Sequence, residues 1–272
     1  MKILVIGEKG MLGHVVKNYF KSKGYIAKGT DRKNGDYIYD ALEIDKINTI
    51  IKDFKPTHII NCIGILNKNT EDNKKDAIFI NSYFPHYMDE LCQKRNIKFI
   101  HISTDCVFEG TKGSYKENDI KDAKSFYGMT KSLGEINNNY NLTLRTSIIG
   151  PDNNKNGIGL FKWFMESSKS VNGYKNVFWS GVTTLELSKS IEKAIIDNLS
   201  GLYHVTNNKK ISKYDLLNLF KKEFNKDIDI IPFKDVTCDK SFINTSTYKF
   251  KIPSYEVMVK EMHEWMLLNK EE

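Results

Sequence analysis

Tyr127 and Lys131 stand four residues apart in Tyr127-Gly128-Met129-Thr130-Lys131. On a helix that spacing puts a phenol and an ammonium on one face. Such a pair can give a proton to an oxygen that gains negative charge, as a carbonyl oxygen does when its carbon accepts a hydride. A phenol ordinarily titrates near pH ~10, and a neighbouring cation favours its ionised form. Spacing alone decides little. With 14 tyrosines and 38 lysines (41 basic residues less Arg32, Arg95 and Arg145) in 272 positions, about two such pairs arise by chance. The other is Tyr19 with Lys23, on the first amphipathic stretch, where a structural role is expected. Position favours Tyr127. It follows the apolar run that ends His101-Ile102-Ser103-Thr104-Asp105, and a Thr104 hydroxyl at a strand's end would orient a carbonyl by hydrogen bonding. Asn81 could hold a water that links Lys131 to bulk solvent.

A second set of residues suits a dinucleotide. Gly7-Glu8-Lys9-Gly10-Met11-Leu12-Gly13 follows the first apolar run and opens the first helical one. Glycine allows a sharp turn and a close approach to a pyrophosphate, which the helix N-terminus then stabilises. Asp31 ends the second apolar run, where a carboxylate accepts hydrogen bonds from an adenosine ribose and favours NAD(H). Arg32 and Lys33 follow at once, and cations there would hold a 2′-phosphate and favour NADP(H). A solvated, charge-rich turn is the plainer reading of Arg32.

These groups need a scaffold that brings strand ends together. Candidate strands cover 2–6, 25–29, 57–63, 97–102 and 142–146, with a shorter one near 37–39. Helical stretches lie near 11–22, 43–54, 74–94 and 125–138. Continuous apolar strands alternating with helices predict an α/β fold with a doubly wound parallel sheet of the Rossmann kind, whose ligands sit at the carboxyl ends of the strands. After Gly150-Pro151 the rhythm changes. A loop is expected over 152–159. Thr183-Thr184-Leu185-Glu186 reads as a capping box for a helix to about Asn198. Ser212 with Asp215 caps another helix, and Pro253-Ser254 precedes a last one through Trp265. The expected division is a dinucleotide-binding domain over 1–150 and a smaller α/β substrate lobe over 151–272, with some of its elements returning to the sheet.

Composition narrows the field. The chain is 40% hydrophobic and 28% charged, with no apolar run near the ~18 residues a membrane helix needs. Met1-Lys2-Ile3-Leu4-Val5-Ile6 reads as a strand rather than a signal peptide. Cys62, Cys92, Cys106 and Cys238 are scattered without a CxxC pair. That argues against a bound metal and a disulfide framework, and fits a reducing cytoplasm. The formal charge is +7, yet it is carried by dispersed lysines. A nucleic-acid binder concentrates its charge and favours arginine, so small anionic ligands are the expected partners, with neither nucleic acid nor membrane.

The residues also carry a resemblance. The most specific segment is Ser103-Thr104-Asp105-Cys106-Val107-Phe108-Glu109-Gly110, followed by Tyr115, Glu117, Tyr127-Gly128-Met129-Thr130-Lys131 and Gly134-Glu135. Leu144-Arg145-Thr146 and Gly201-Leu202-Tyr203-His204-Val205 match as well. Over almost its whole length the chain resembles the extended short-chain dehydrogenases, and within them the dTDP-4-dehydrorhamnose reductases. The resemblance implies reduction of a 4-keto-6-deoxy sugar linked to dTDP or UDP, a step toward surface polysaccharide precursors, with NADPH as cofactor and NADH as the alternative. It makes Thr104, Tyr127 and Lys131 the catalytic group, supported by Asn81. It adds Met11, Leu12, Asp40, Ala41, Cys62, Ile63 and Gly64 to Gly7, Gly10, Gly13, Asp31 and Arg32 around the cofactor. Thr104, Phe108 and Trp179 are expected on the substrate side, and a homodimer is an admissible assembly.

Departures from the family fall toward the substrate. Cys106 stands where the family has tyrosine. Phe178-Trp179-Ser180-Gly181-Val182-Thr183-Thr184 replaces an Asp-Gln-x-Gly-x-Pro-Thr element, and Asp239-Lys240-Ser241-Phe242-Ile243-Asn244 replaces Arg-Pro-x-Asn-Ser. Two alternatives remain. One is an epimerase-reductase that uses Cys106, although this cysteine falls one residue beyond the position such relatives use. The other is a non-catalytic, NADP-binding regulatory subunit, since that of methionine adenosyltransferase resembles the same family.

Overall fold

The computed structural model describes residues 1–66, 68–154 and 157–269; Lys155 and Asn156 of the loop expected over 152–159 lie outside the described residues. The chain opens directly into strand β1 (Lys2–Ile6), in which Ile3, Leu4, Val5 and Ile6 are buried. A strand apolar on both sides must be covered on both. β2 (Ile26–Asp31), β3 (Tyr37–Ile38), β4 (His58–Asn61), β5 (Lys98–Ser103), β6 (Leu142–Arg145) and β7 (Gly201–His204) join it. Among the described residues these seven strands form one parallel sheet in the order β7-β6-β5-β4-β1-β2-β3. From β1 the chain winds outward to β2 and β3, then crosses back to β4. The resulting crevice between β1 and β4 is where a doubly wound sheet accepts a ligand.

Two apolar layers cover the sheet. On one face α1 (Gly13–Ser22) supplies Val15, Val16 and Phe20. On the other, α2 (Ile47–Phe54) and α3 (Phe84–Lys94) supply Ile50, Ile51, Phe84 and Met88, packed with Leu4, Ile59 and Phe99. Each fully buried Ile, Leu or Phe contributes ~1.5–3 kcal/mol. Helices α4 (Phe126–Leu133), α5 (Thr184–Ile196), α6 (Lys213–Glu223) and α7 (Tyr255–Leu268) each begin at a hydroxyl that accepts from a backbone N–H three residues on. Their caps are Ser125, Thr183, Ser212 and Ser254, each worth about 0.5–2 kcal/mol. α5 packs on α1 beneath β6 and β7.

Helix boundaries differ from the pattern-based ones where backbone meets backbone. The stretch expected over 43–54 begins with a 3₁₀ turn, Ile44–Lys46, before α2. The one expected over 74–94 runs Lys74–Ile78, then a π turn over Phe79–Tyr83, then α3. α4 ends at Leu133 rather than near 138, and a Cβ at the next residue, Gly134, would stand 1.9 Å from the Asn81 carbonyl oxygen. The remaining short strands, from Ile148 onward, pair among themselves. Ile148–Ile149 meets Val182–Thr183, Val177–Trp179 lies between Ile211–Ser212 and Cys238–Asp239, and Ser170–Tyr174 pairs with Asp229–Phe233. Among the described residues no helix is long and apolar enough to cross a membrane.

Candidate active site

The glycine loop sits where β1 ends. Gly7 has φ +88°, a region that favours glycine, and a Cβ there would press on Ile63 at 2.5 Å. A Cβ on Gly13 would stand 2.0 Å from the Gly7 carbonyl oxygen, so the first and last glycines let the turn close on itself. Gly10 is different. A Cβ there meets just that same oxygen, at 3.4 Å, and the residue is exposed. Its backbone is open to solvent, so a ligand can come close there. The N-terminus of α1 has no side-chain cap, so its first N–H groups and the dipole are offered to an anion. These features fit the pyrophosphate of a dinucleotide. Met11 and Leu12 complete the turn; Cys62 and Ile63 pack against Gly7 from just beyond β4, while Gly64 lies beside Asn81.

Glu8, a residue to which sequence reasoning gave no role, turns inward. It is buried and pairs with Lys17, while its Oε1 accepts the Asp36 N–H at 2.6 Å. Asp36 in turn meets Lys17 at 2.6 Å. Cβ atoms on Gly29 and Gly35 would fall 2.3 and 2.7 Å from Glu8 atoms. Those two glycines, one of them inside β2, were the available signal. The triad pins the loop that follows β2. In that loop Asp31 accepts from the N–H groups of Lys33 and Asn34 at 2.8 and 3.0 Å. Partial burial pushes its carboxyl up, but hydrogen bonds from Asn34, Lys33 and Arg32 outweigh this and leave it below the ordinary aspartate value. One Asp31 oxygen is therefore engaged in its own turn, and Arg32 beside it is exposed. Asp40 caps the next turn through Leu42 N at 3.0 Å, and Ala41 is buried.

β5 delivers the second set. Its last residue is Ser103, and Thr104 then caps the 3₁₀ turn Asp105–Val107, accepting from Cys106 N at 3.2 Å and donating to Asp105 at 3.1 Å. The Thr104 hydroxyl lies close enough to the Tyr127 phenol to favour its ionised form. α4 can lie this close because residue 128 is glycine: a Cβ there would stand 2.1 Å from the Cys106 carbonyl oxygen. Burial pushes the Tyr127 phenol above its ordinary value, and Cys106 and Asp105 add to the rise while Thr104 opposes it. The phenol is protonated at neutral pH.

Lys131 is 4% exposed. Its Nζ donates to the Ile102 carbonyl at 2.8 Å and lies 3.3 Å from His101 Nε2. Burial brings its ammonium down to about 8, against attraction from Glu135 and Cys62. Asn81 sits in the π turn. Its amide accepts from Ile65 N and donates to Ile65 O, both at 2.9 Å, and donates to Thr130 Oγ1 at 3.1 Å. Both amide hydrogens are thus committed, and a bridging water would have only the second Oδ1 lone pair.

Under these groups Glu135 accepts from Arg145 at 2.7 and 2.6 Å and from Ser103 at 2.6 Å. Arg145 also donates to His204 Nε2 at 2.7 Å, whose Nδ1–H donates to the Ile243 carbonyl at 2.9 Å. Removing one member of such a buried pair costs about 3–5 kcal/mol. Phe108 and Trp179, expected on the substrate side, are both buried in packing. Phe108 is 0% exposed, stacked on Tyr115 at 4.1 Å under the Arg145 guanidinium. Trp179 is 5% exposed and packs against Tyr255. Neither offers surface beside Tyr127. Cys106 keeps its proton, because burial pushes the thiol up to about 12. The four cysteines are free, and among the described residues no cluster of His, Cys, Asp or Glu could hold a metal.

A parallel seven-stranded sheet with a glycine turn at its switch point and a hydroxyl, phenol and ammonium at the neighbouring strand end defines an extended short-chain dehydrogenase-like protein. The family model described as the RmlD substrate binding domain matches residues 1–262, and the chain belongs to that family. Methionine adenosyltransferase 2 subunit beta of Xenopus laevis is 25% identical over 241 residues, covering 82% of this chain and 72% of that protein. A dTDP-4-keto-6-deoxy-D-glucose reductase of Streptomyces niveus is 24% identical over 223 residues, covering 79% and 76%. Among solved structures, a dTDP-4-dehydrorhamnose reductase of Clostridium acetobutylicum superposes with a TM-score of 0.84 at 22% identity, over 98% of this chain and 100% of that one. That of Bacillus anthracis, in complex with NADP, gives 0.83 at 21% identity over 97% and 99%. At such identities the superpositions speak for the fold.

Proposed function

We propose that this chain reduces the keto group of a nucleotide-linked 4-keto-6-deoxy sugar, using NADPH with NADH as the alternative. The reading is supported by Thr104 following β5 beside Tyr127, and by Lys131, on the same helix as Tyr127, donating to Ile102 of that strand next to the crevice with the glycine turn. The reduced nicotinamide, when bound, supplies the hydride. The protein's share is the proton and its placement. Thr104 orients the substrate carbonyl, and Tyr127 gives its phenolic proton to the oxygen as negative charge develops there. Lys131 stabilises the phenolate left behind. The turn from Gly7 to Gly13, with Cys62, Ile63 and Gly64 opposite, would hold the dinucleotide, with Asp31, Arg32, Asp40 and Ala41 toward the adenosine end. The name of the Streptomyces relative supports the reaction class. The dTDP- and UDP-linked sugars are equally compatible with the departures at 178–184 and 239–244.

A second reading, a cofactor-binding subunit without chemistry of its own, draws on the Xenopus relative. The purified chain should be offered dTDP- and UDP-linked 4-keto-6-deoxyglucose with NADPH or NADH, and the loss of reduced nicotinamide followed. Turnover, with NMR showing a new hydroxyl at C4, supports the enzyme. Tight NADPH binding with no turnover of either sugar favours the subunit.

A further inference from the structure

His101 is wholly buried, sits between Ile100 and Ile102 in β5, and touches the side chain on which the proposed chemistry depends. Its Nε2 lies 3.3 Å from Lys131 Nζ, and its Nδ1 lies 3.1 Å from Asn61 Nδ2. Asn61 is fully buried as well, at the end of β4. Phe99 stacks beside the imidazole at 6.4 Å.

A neutral imidazole carries one N–H and one lone pair. Burial, with Lys131 and then His86 as like charges, holds His101 well below the ordinary histidine value, so it is neutral. Which nitrogen has the hydrogen follows from Asn61. The Asn61 Oδ1 accepts the Ile63 N–H at 3.3 Å. Turning the amide over would set its NH₂ against that N–H, donor facing donor. The NH₂ therefore points at His101 Nδ1, which must accept. The hydrogen is on Nε2, facing the lysine nitrogen.

We propose that His101 is a positioning residue for Lys131, held by Asn61 in the tautomer that directs its Nε2–H at the lysine Nζ. This arrangement favours the amine over the ammonium, because an amine has a lone pair for that N–H and an ammonium has none. The other groups facing Lys131 are Glu135 on the following turn and Cys62 from β4, and both favour the ammonium. Those facing His101 are Lys131 and, from α3, His86. Burial and the Nε2–H act together against Glu135 and Cys62.

The consequence rests on the reductase reading. After Tyr127 has given its proton away, a proton must return to the phenolate. Transfer from Lys131 breaks an N–H bond, re-forms the phenol O–H and leaves a neutral amine, whose lone pair then accepts the Nε2–H. His101 would stabilise the lysine in the state that has just given up its proton. It has no exposed surface, so it tunes the lysine rather than conducting protons to solvent.

The test uses the purified chain without substrate or cofactor, so it is independent of whether the reductase reading holds. In protein with ¹⁵N-labelled histidine, two-bond nitrogen–proton correlations should show His101 neutral with the hydrogen on Nε2 from about pH 6 to 9. An Nδ1–H tautomer, or a protonated ring, would overturn the proposal. In ¹⁵N-lysine protein, His101→Phe should raise the pH at which Lys131 titrates by about one unit, a tenfold change in proton affinity. An unchanged or lower value would overturn it too. Should that variant not fold, the tautomer in the unsubstituted chain decides alone. If the reductase reading is also right, the same variant should move the pH dependence of kcat alkaline by a matching amount with little change in KM.

Discussion

Replacing Tyr127 with phenylalanine removes one oxygen from the middle of the proposed chemistry and leaves the ring in place. The neighbouring Thr104 hydroxyl keeps its own partners, Asp105 and Cys106 N. Even a full hydrogen bond between the two hydroxyls would contribute only about 0.5–1.5 kcal/mol, so the variant should fold and its thermal midpoint should move by a few degrees at most. Activity should respond on another scale. A positioned general acid is worth about 10²–10⁴ in rate, or ~2.7–5.5 kcal/mol of barrier. The assay is kcat for oxidation of reduced nicotinamide with a 4-keto sugar nucleotide, paired with a fluorescence titration of NADPH, which should be nearly unchanged. Tyr19→Phe is the control with the same spacing to a lysine. Tyr19 is buried, donates to Glu192 at 2.5 Å and has Lys23 over its ring at 5.5 Å. Its loss should destabilise the α1–α5 contact and leave kcat in the folded protein intact. An unimpaired Tyr127→Phe enzyme, or equal losses of kcat at both positions, would refute the placement of the site.

Arg32 is exposed next to Asp31, so Arg32→Ala should raise the NADPH Kd about tenfold or more, the loss of a charge-assisted contact of ~1.5–3 kcal/mol, and leave NADH binding nearly unchanged. Equal weakening of both cofactors would make the residue structural. Cys106→Ser should keep most of the reductase rate and the same solvent-deuterium incorporation beside the ketone, since its thiol is held protonated by burial; abolition of a rapid exchange would favour epimerase chemistry. Burial and Arg145 lower the His204 imidazole to about 4. A histidine neutral in the fold and basic when unfolded stabilises fully above the unfolded value, and loses that contribution as pH falls from about 6.5 toward the folded one. Urea melts at pH 7 and 5 should therefore show a smaller acid-induced loss in His204→Gln than in the unsubstituted chain, and an equal loss would mean that another group dominates.

Legibility followed sequence distance. Strands such as Ile3-Leu4-Val5-Ile6 announce themselves because burial on both faces demands an unbroken apolar run. The Tyr127–Lys131 pair and the Gly7–Gly13 turn are local, so spacing alone puts them on one helix face and one loop. The extra residue of the π turn leaves the apolar pattern of 74–94 intact, yet it is the turn that carries Asn81 to Ile65 and Thr130. His101, Asn61 and Lys131 come from three elements, as do Glu135, Arg145 and His204, and no periodicity reports which strand lies beside which. A trace was still available. Two polar side chains, Asn61 and His101, end or interrupt runs otherwise fit for a dry core, and Asn61 pairs in register with His101 across β4 and β5. Buried polar groups need partners. Once the parallel order is known, the partner of His101 is confined to the neighbouring strands and the helix above them, and Lys131 is the group there that chemistry would also require. The same demand works against Phe108 and Trp179. An aromatic beside a reactive motif suggests a contact for substrate, but Phe108 fills the space under Arg145 and Trp179 that against Tyr255, so packing takes up the surface that recognition would need.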